Sequence, residues 1–375
     1  MYLTRKRKLG RTQQLDRLAE RSGRLWSRIA KWHWRFVHRQ GHWLSKRQAQ
    51  KMYCKGFDGL HSQSAQAVAD SFYNAIKSWQ KKRKSGDYSG LRAPYKQKRY
   101  FTVQWKSSAI KLRDDGALRL SNGHGEDPVL ISCPSEKKPK RVEMGWDGHQ
   151  YELRCQYKVE EPEEAKGSKT AGVDIGEIHL AAVYTGDESW TVNGRELRSL
   201  RRQQNRTKAR FARKIARKKR GSRRWKRLVR AKNRYLTKIR GQIKDLLHKQ
   251  STRLIKTLHE RRVGTVVVGD LTGIREQIDY GTKANQRLHQ WAYGEFVRMM
   301  EYKARLHGMT VERVSEAYTS QTCPSCQHRK KPNGREYHCS ECGFEGHRDV
   351  VGAANIRQKY LGDECSLRVA GEGPQ

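Results

Sequence analysis

Acidic residues are scarce in this chain: 38 Asp and Glu stand against 80 Lys and Arg over 375 residues, a net charge of +42. Solubility needs nothing of that size, so a large polyanion is the expected partner. Between Arg198 and Lys244 there is no Asp or Glu at all. Long apolar runs are missing as well. No stretch could span a bilayer, and MYLTRKRKLG lacks the apolar core of a signal peptide. The expectation is a cytoplasmic, nucleoid-associated bacterial protein with no membrane partner. Cysteines number only eight. Cys54, Cys133, Cys155 and Cys365 lack disulfide-like spacing and read as free thiols in a reducing compartment. Aromatics are the exception to this scarcity. Ten Trp and sixteen Tyr among so many cations exclude a disordered basic tail. Together these features describe a folded nucleic-acid binder.

Along the chain, residues 2–9 read as a short basic strand. From Arg11 to about His42 the residues Leu15, Leu18, Leu25, Trp26, Ile29, Trp32 and Phe36 recur at helical spacing. A second helix is predicted from Ser62 to Lys82, with Val68, Phe72, Ile76 and Trp79 on one face. Core packing is the ordinary role of such aromatics, and stacking of Trp34 or Trp43 on bases is the sharper alternative. After Gly86 come short alternating runs (RYFTVQW, SAIKLR, GALRLS, PVLISC, KRVEMGW, YELRCQYKV) parted by Asp-Gly and Asn-Gly turns. That pattern predicts a small antiparallel barrel or sandwich. The acidic stretch 160–169 reads as a linker.

The second half opens on TAGVDIGEIHLAAVYTG, a buried strand carrying Asp174, a turn, and a returning strand. A carboxylate in an apolar strand is costly unless it meets a cation or a donor. A helical region over roughly 196–260 follows. Its single-signed face repels itself unless phosphates neutralise it, so Arg201, Arg202, Arg206, Arg210, Arg213, Lys214, Arg217, Lys218, Arg224 and Arg227 are candidate nucleic-acid contacts. Next come a strand from Gly264 to Leu271, a helix from about Gln286 to His307, and the strand MTVERVSEAY.

Two Cys-x-x-Cys pairs, Cys323/Cys326 and Cys339/Cys342, then flank a short basic loop with Pro332, Asn333 and Gly334. Four thiolates on two tight turns make a structural zinc site. Arg348 and Asp349 follow at once and open the helical pattern VVGAANIRQKY. The order of elements, with an Asp on the first strand and another on the last helix, is that of an RNase H-like α/β fold. Such carboxylates can hold two magnesium ions for phosphodiester hydrolysis.

GVDIG, VVVGDL, WAYGEFVRMMEYKARLHG, EAYTSQTCPSC and CSECGFEGHRDVVGAANI resemble the TnpB family of transposon-encoded RNA-guided endonucleases, which are similar to compact type V CRISPR effectors. The resemblance is close from about 170 to the 350s and looser before that. It implies a multi-domain α+β protein. Residues 1–9 and 86–165 would form a β-barrel wedge, with 10–85 as a helical recognition insert. Residues 166–318 and 347–361 would form a RuvC nuclease domain, with 319–346 an inserted zinc ribbon and 362–375 a disordered tail. It further implies a guide RNA from the transposon end or a CRISPR locus and double-stranded target DNA read beside a short flanking motif. The oligomeric state stays open, with a monomer favoured. Asp174 matches the family's first catalytic carboxylate and Asp349 its third, with Arg348 supporting at a phosphate.

The second carboxylate is where the chain departs from the family. Gly269 stands where a Glu is usual, and Asp270 beside it should point to the opposite face. Either the site is broken and the protein binds DNA silently, as a repressor would, or Glu316 at the end of the neighbouring strand fills the vacancy. Glu312 and Glu276 are weaker candidates. A plain RNA-binding protein would leave Asp174 and Asp349 without a purpose. A DDE-type transposase would end on a helical Glu.

Overall fold

Alternating apolar residues build two antiparallel sheets in the first half of the chain. The computed structural model describes residues 1–86, 92–162, 167–271, 281, 285–286, 291 and 293–362. They fall into two units, Met1–Val159 and Glu160–Gln375. Glu276, Cys365 and the tail from 363 onward, together with parts of the expected linker and of the 286–307 helix, lie outside the described residues.

In the first unit, β1 (Tyr2–Leu9), β2 (Val103–Lys106), β6 (Arg141–Trp146) and β7 (Tyr151–Lys158) form a sheet of order β1-β7-β6-β2. Strands β3 (Ile110–Leu112), β4 (Ala117–Leu120) and β5 (Val129–Ser132) form a second. The period-2 pattern is cleanest in β7, which buries Tyr151, Leu153, Cys155 and Tyr157 on one face. Two long helices share the core with these sheets. The first, α1 (Gln13–Gln40), starts at Thr12, whose side chain accepts the Leu15 N–H, and stops at Gly41 in the left-handed conformation. A short helix, α2 (Lys46–Ala49), and a π turn at Gln50–Cys54 lead to α3 (Ser62–Lys84). Leu18, Leu25, Trp26, Ile29, Phe72 and Ile76 meet Val103, Trp105, Leu118 and Leu153 in one apolar cluster. Trp34 is buried against Tyr95, ring centroids 4.4 Å apart, whereas Trp43 is 46% exposed.

The second unit is a mixed sheet of order β10-β9-β8-β11-β12. Here β8 (Lys169–Asp174), β9 (His179–Tyr184) and β10 (Ser189–Asn193) form an antiparallel meander. The other two strands, β11 (Val263–Asp270) and β12 (Thr310–Ser315), run parallel to β8. The predicted long helical region divides into α4 (Arg195–Ala216) and α5 (Arg223–Glu260). Gly221 at φ 85° makes the break, and Ser222 caps the second helix by accepting the Trp225 N–H. Ile243, Leu247, Leu254 and Leu258 of α5 pack with Phe296, Val297 and Met300 of α6 (Tyr293–Arg305) and with Val266 and Val268 of the sheet. Lys303 ties α6 to α5 by donating to His248 O, Ser251 Oγ and Thr252 Oγ1 at 2.6, 2.6 and 2.7 Å. Its burial pulls the ammonium pKa down to about 8. Beyond β12, a hairpin of β13 (Glu336–His338) and β14 (Glu345–His347) leads into α7 (Arg348–Leu361), where Ala353 and Ala354 pack on Ala182 and Tyr184 of β9.

Trp105 is fully buried, and its indole N–H donates to Ser121 O at 3.0 Å. Trp105→Ala should lower the unfolding free energy by about 3–5 kcal/mol. Chemical denaturation followed by fluorescence is the check, and a loss below about 1 kcal/mol would contradict the core assigned to it.

Candidate active site and nucleic-acid interface

Two parallel strand ends on either side of a third strand, and one helix start, bring three carboxylates together. Asp174 is the last residue of β8, Glu316 lies one residue past β12, and Asp349 sits in the first turn of α7. Between β8 and β12 runs β11, with Gly269 in register with Val314. A Cβ on Gly269 would stand 3.1–3.2 Å from Cδ, Cγ and Cβ of Glu316. The bare glycine is therefore what lets Glu316 lie across β11 toward Asp174, with which it shares a hydrogen bond. On the other side, a Cβ on Gly352 of α7 would come within 2.8 Å of Asp174 Oδ2, so the helix covers Asp174 closely.

The electrostatics of this pair are strained. Burial first, then the charge of Glu316, the shared hydrogen bond and Asp349, hold the Asp174 carboxyl well above its ordinary value, with Arg348 opposing. Burial also raises Glu316, with Asp270 adding to the rise and Lys359 opposing it. The shared bond raises Asp174 and lowers Glu316. Glu316 Oε2 is buried with no hydrogen-bond partner. Like charges this close cannot both ionise without a compensating cation. An orphaned buried carboxylate oxygen beside a second carboxylate is therefore a fitting donor set for magnesium. Glu312 is exposed and stands apart from this group. Asp270 is half-buried at the end of β11 and acts on Glu316 through its charge.

Asp349 carries a shell that sequence reasoning missed. His179 Nδ1 lies 2.7 Å from Asp349 Oδ2, and Arg335 Nη1 lies 3.8 Å from the same oxygen. His347 caps α7 by accepting the Asp349 N–H, and its ring meets that of His179 edge-on at 4.9 Å. The available signal was proximity: His179 follows Asp174 by one turn, and His347 precedes Asp349 by two residues. Arg348 donates to Gly334 O at 3.5 Å and bears on Asp174 through its charge.

The four ribbon cysteines converge. Cys323 and Cys342 sulfurs are 3.6 Å apart, Cys326 and Cys339 3.5 Å, and all four lie within 4.8 Å of one another. Zinc–sulfur bonds of about 2.3 Å in a tetrahedron put sulfurs roughly 3.8 Å apart, so the set fits zinc. Each knuckle turns on a left-handed residue just after its second or last ligand, Gln327 at φ 62° and Gly343 at φ 70°. The Phe344 N–H is the main reason the Cys342 thiol falls to about 7, as a metal-binding thiolate requires. Asn355 of α7 donates to Thr319 O and Thr322 O, both at 2.7 Å, fastening the helix to the ribbon's base.

Of the candidate nucleic-acid contacts, Arg202, Arg206, Arg210, Arg213, Lys214, Arg217, Lys218, Arg224 and Arg227 are exposed, and Arg201 is half-buried. None pairs with a carboxylate among the described residues. Arg201, Arg202 and Arg206 line a cleft of about 940 Å³ with Glu177, Ile178 and Arg335. The others lie outside it, farther along α4, in the break after it (Arg217, Lys218) and on α5. Arg335 connects this basic cleft to Asp349.

Residues 293–356 match the family model described as "Cas12f1-like, TNB domain", and residues 154–275 match OrfB_IS605, described as "Probable transposase". Over 127 residues the chain is 35% identical to the TnpB-like protein MJ0751 of Methanocaldococcus jannaschii, covering 33% of this chain and 45% of that protein. The chain is thus similar to a TnpB-like protein over about a third of its length. It is also 26% identical over 121 residues to the CRISPR-associated endodeoxyribonuclease Cas12f1 of Syntrophomonas palmitatica, covering 32% of this chain and 23% of that one. The matches to these curated relatives span less than half their length. A solved Cas12f1-sgRNA-target DNA complex contains a chain of similar fold, with a TM-score of 0.59 and 13% identity over 91% of this chain and 81% of that chain. The chain thus has a Cas12-like mixed α/β fold and a cysteine cluster suited to a zinc ribbon.

The raised carboxyls fix the sign of a pH effect. As pH rises above the ordinary carboxylate range, the unfolded chain releases these protons first, so the cation-free native state loses stability up to the raised native values. Glu316→Gln removes one of the repelling charges. In magnesium-free buffer its melting temperature should gain on the wild type as pH rises above the ordinary carboxylate range, and magnesium should close the gap. A pH-independent difference would mean that the pair is not strained.

Proposed function

We propose that this chain is an RNA-guided DNA endonuclease with Asp174, Glu316 and Asp349 as its magnesium-binding catalytic carboxylates. The observation that carries the reading is Glu316 lying over the bare Gly269, hydrogen-bonded to Asp174, with one buried oxygen free. The names of relatives, TnpB-like protein and Cas12f1 endodeoxyribonuclease, support the same activity. On this reading the β10-β9-β8-β11-β12 sheet is an RNase H-like, RuvC-type nuclease domain, and the sheets and helices of the first unit are the wedge and recognition parts.

Two magnesium ions, when bound, would supply an activated water and charge stabilisation at the leaving oxygen. The chain's residues do the rest. Asp174 and Glu316 offer the buried oxygens, and Asp349, held by His179, offers a third carboxylate from the helix. Arg348, at the start of α7, adds positive charge where a phosphate would enter. Arg201, Arg202 and Arg206 line a cleft wide enough to guide a single strand toward that point. Base pairing to a guide RNA, from a transposon end or a CRISPR locus, selects a double-stranded target beside a short flanking motif. Zinc on Cys323, Cys326, Cys339 and Cys342 is structural. Gly269 by itself favours a second reading, a silent RNA-guided binder that acts as a repressor.

Plasmid cleavage by the purified protein–RNA particle in magnesium decides between the two. Cleavage should be lost in both Asp174→Ala and Glu316→Ala. Survival in Glu316→Ala alone would move the second carboxylate to Asp270, and guide-dependent binding with no wild-type cutting would establish the silent binder. Arg348→Ala should slow cleavage by about a hundredfold while leaving binding nearly intact. Equal losses in nicking and filter-binding assays would remove it from the reaction.

A further inference from the structure

Beside the carboxylate centre, three side chains from three elements point at a common spot. His179 opens β9, His347 ends β14, and Asp349 lies in the first turn of α7. One donor atom from each lies within 4.8 Å of the other two. Side-chain exposures of 18% for His179 and 25% for Asp349 leave the spot open to an ion yet largely enclosed.

We infer that His179, His347 and Asp349 form a binding site for a divalent transition-metal ion of the zinc, cobalt and nickel class, sharing Asp349 with the carboxylate centre. Imidazole nitrogens select such ions over magnesium, which prefers oxygen ligands alone. Two imidazoles and a carboxylate leave a fourth tetrahedral position for water, the arrangement of open zinc sites. His179 Nδ1 and Asp349 Oδ2 now share a proton at 2.7 Å. Metal bonds of about 2.0–2.2 Å need those atoms roughly 3.3 Å apart, so an ion takes the proton's position and spreads the pair by about half an ångström. His347 Nδ1 accepts the Asp349 N–H at 3.2 Å, which leaves its Nε2 available.

Arg335 supports the assignment from the other direction. Its Nη1 lies 3.4 Å from His179 Nδ1 and 3.8 Å from Asp349 Oδ2, on a side chain 44% exposed. A partly exposed cation thus already answers the site's demand for positive charge, and it competes with any ion that binds. An ion held here draws Asp349 away from Asp174 and Glu316. Its effect on cleavage therefore rests on the nuclease reading, whereas the site itself does not.

The test is a cobalt(II) titration of the full-length protein carrying zinc in its ribbon, followed by visible absorption. One equivalent should bind with the weak bands of nitrogen and oxygen ligation, distinct from thiolate charge transfer at the ribbon. Affinity should fall more than about tenfold in His179→Ala and in His347→Asn, the latter retaining a good helix cap. Arg335→Ala should bind more tightly, and Glu316→Gln should bind as the wild type does. Absence of that equivalent, its survival in both histidine variants, or its loss in Glu316→Gln would overturn the site. No guide RNA or DNA enters the measurement, so its failure is distinguishable from failure of the nuclease reading.

Discussion

The second unit depends on an unfavourable interaction that the fold enforces: two carboxyls pressed together out of water. Burial holds both Asp174 and Glu316 above their ordinary titration range, and the charge of Glu316 adds to the rise at Asp174. Hydrogen bonding rewards that arrangement only in part, since Glu316 Oε2 is left buried without a donor. A chain selected for stability alone would replace either acid with an apolar residue. The surroundings instead insist on the contact. Parallel pairing of β8, β11 and β12 sets the two backbones, the missing side chain at Gly269 opens the way, and the backbone of α7 at Gly352 closes it from above.

The ribbon and the last helix stand in a similar relation. Metal-ligand spacing fixes the two knuckles, and the second one delivers the chain straight into the first turn of α7. His347 ends the ribbon's hairpin and caps the helix at the same time. Asp349 is thereby fixed from behind by Arg335 and His179, each from a different element.

Much of this was legible in the sequence because it depends on local rules. Strands β2 to β7 of the first unit follow from alternation and Asp-Gly or Asn-Gly turns, and α1 and α3 follow from helical spacing. The Cys-x-x-Cys pairs announced their own geometry. Glu316 could be nominated because a strand-end acid and a glycine on its neighbour form a complementary pair. The break at Arg217–Ser222 was lost in the uniform basic run, where Gly221 competes with many good helix formers. His179, His347 and Arg335 were missed for a different reason. Their roles exist only once β9, the hairpin and α7 meet, and no spacing in the chain encodes that meeting. The aromatics divided by depth: Trp34 is buried and Trp43 is largely exposed, a difference helical periodicity alone does not resolve.

Asn355 gives the ribbon a mechanical meaning. Its amide holds the carbonyls of Thr319 and Thr322, which lead into the first knuckle, from a position well inside α7. Helix and ribbon are joined at both ends of this stretch, by covalent continuity at His347 and by these two bonds farther along. They turn as one lever, and any load that tilts the ribbon is felt at Asp349 as a displacement of its carboxylate.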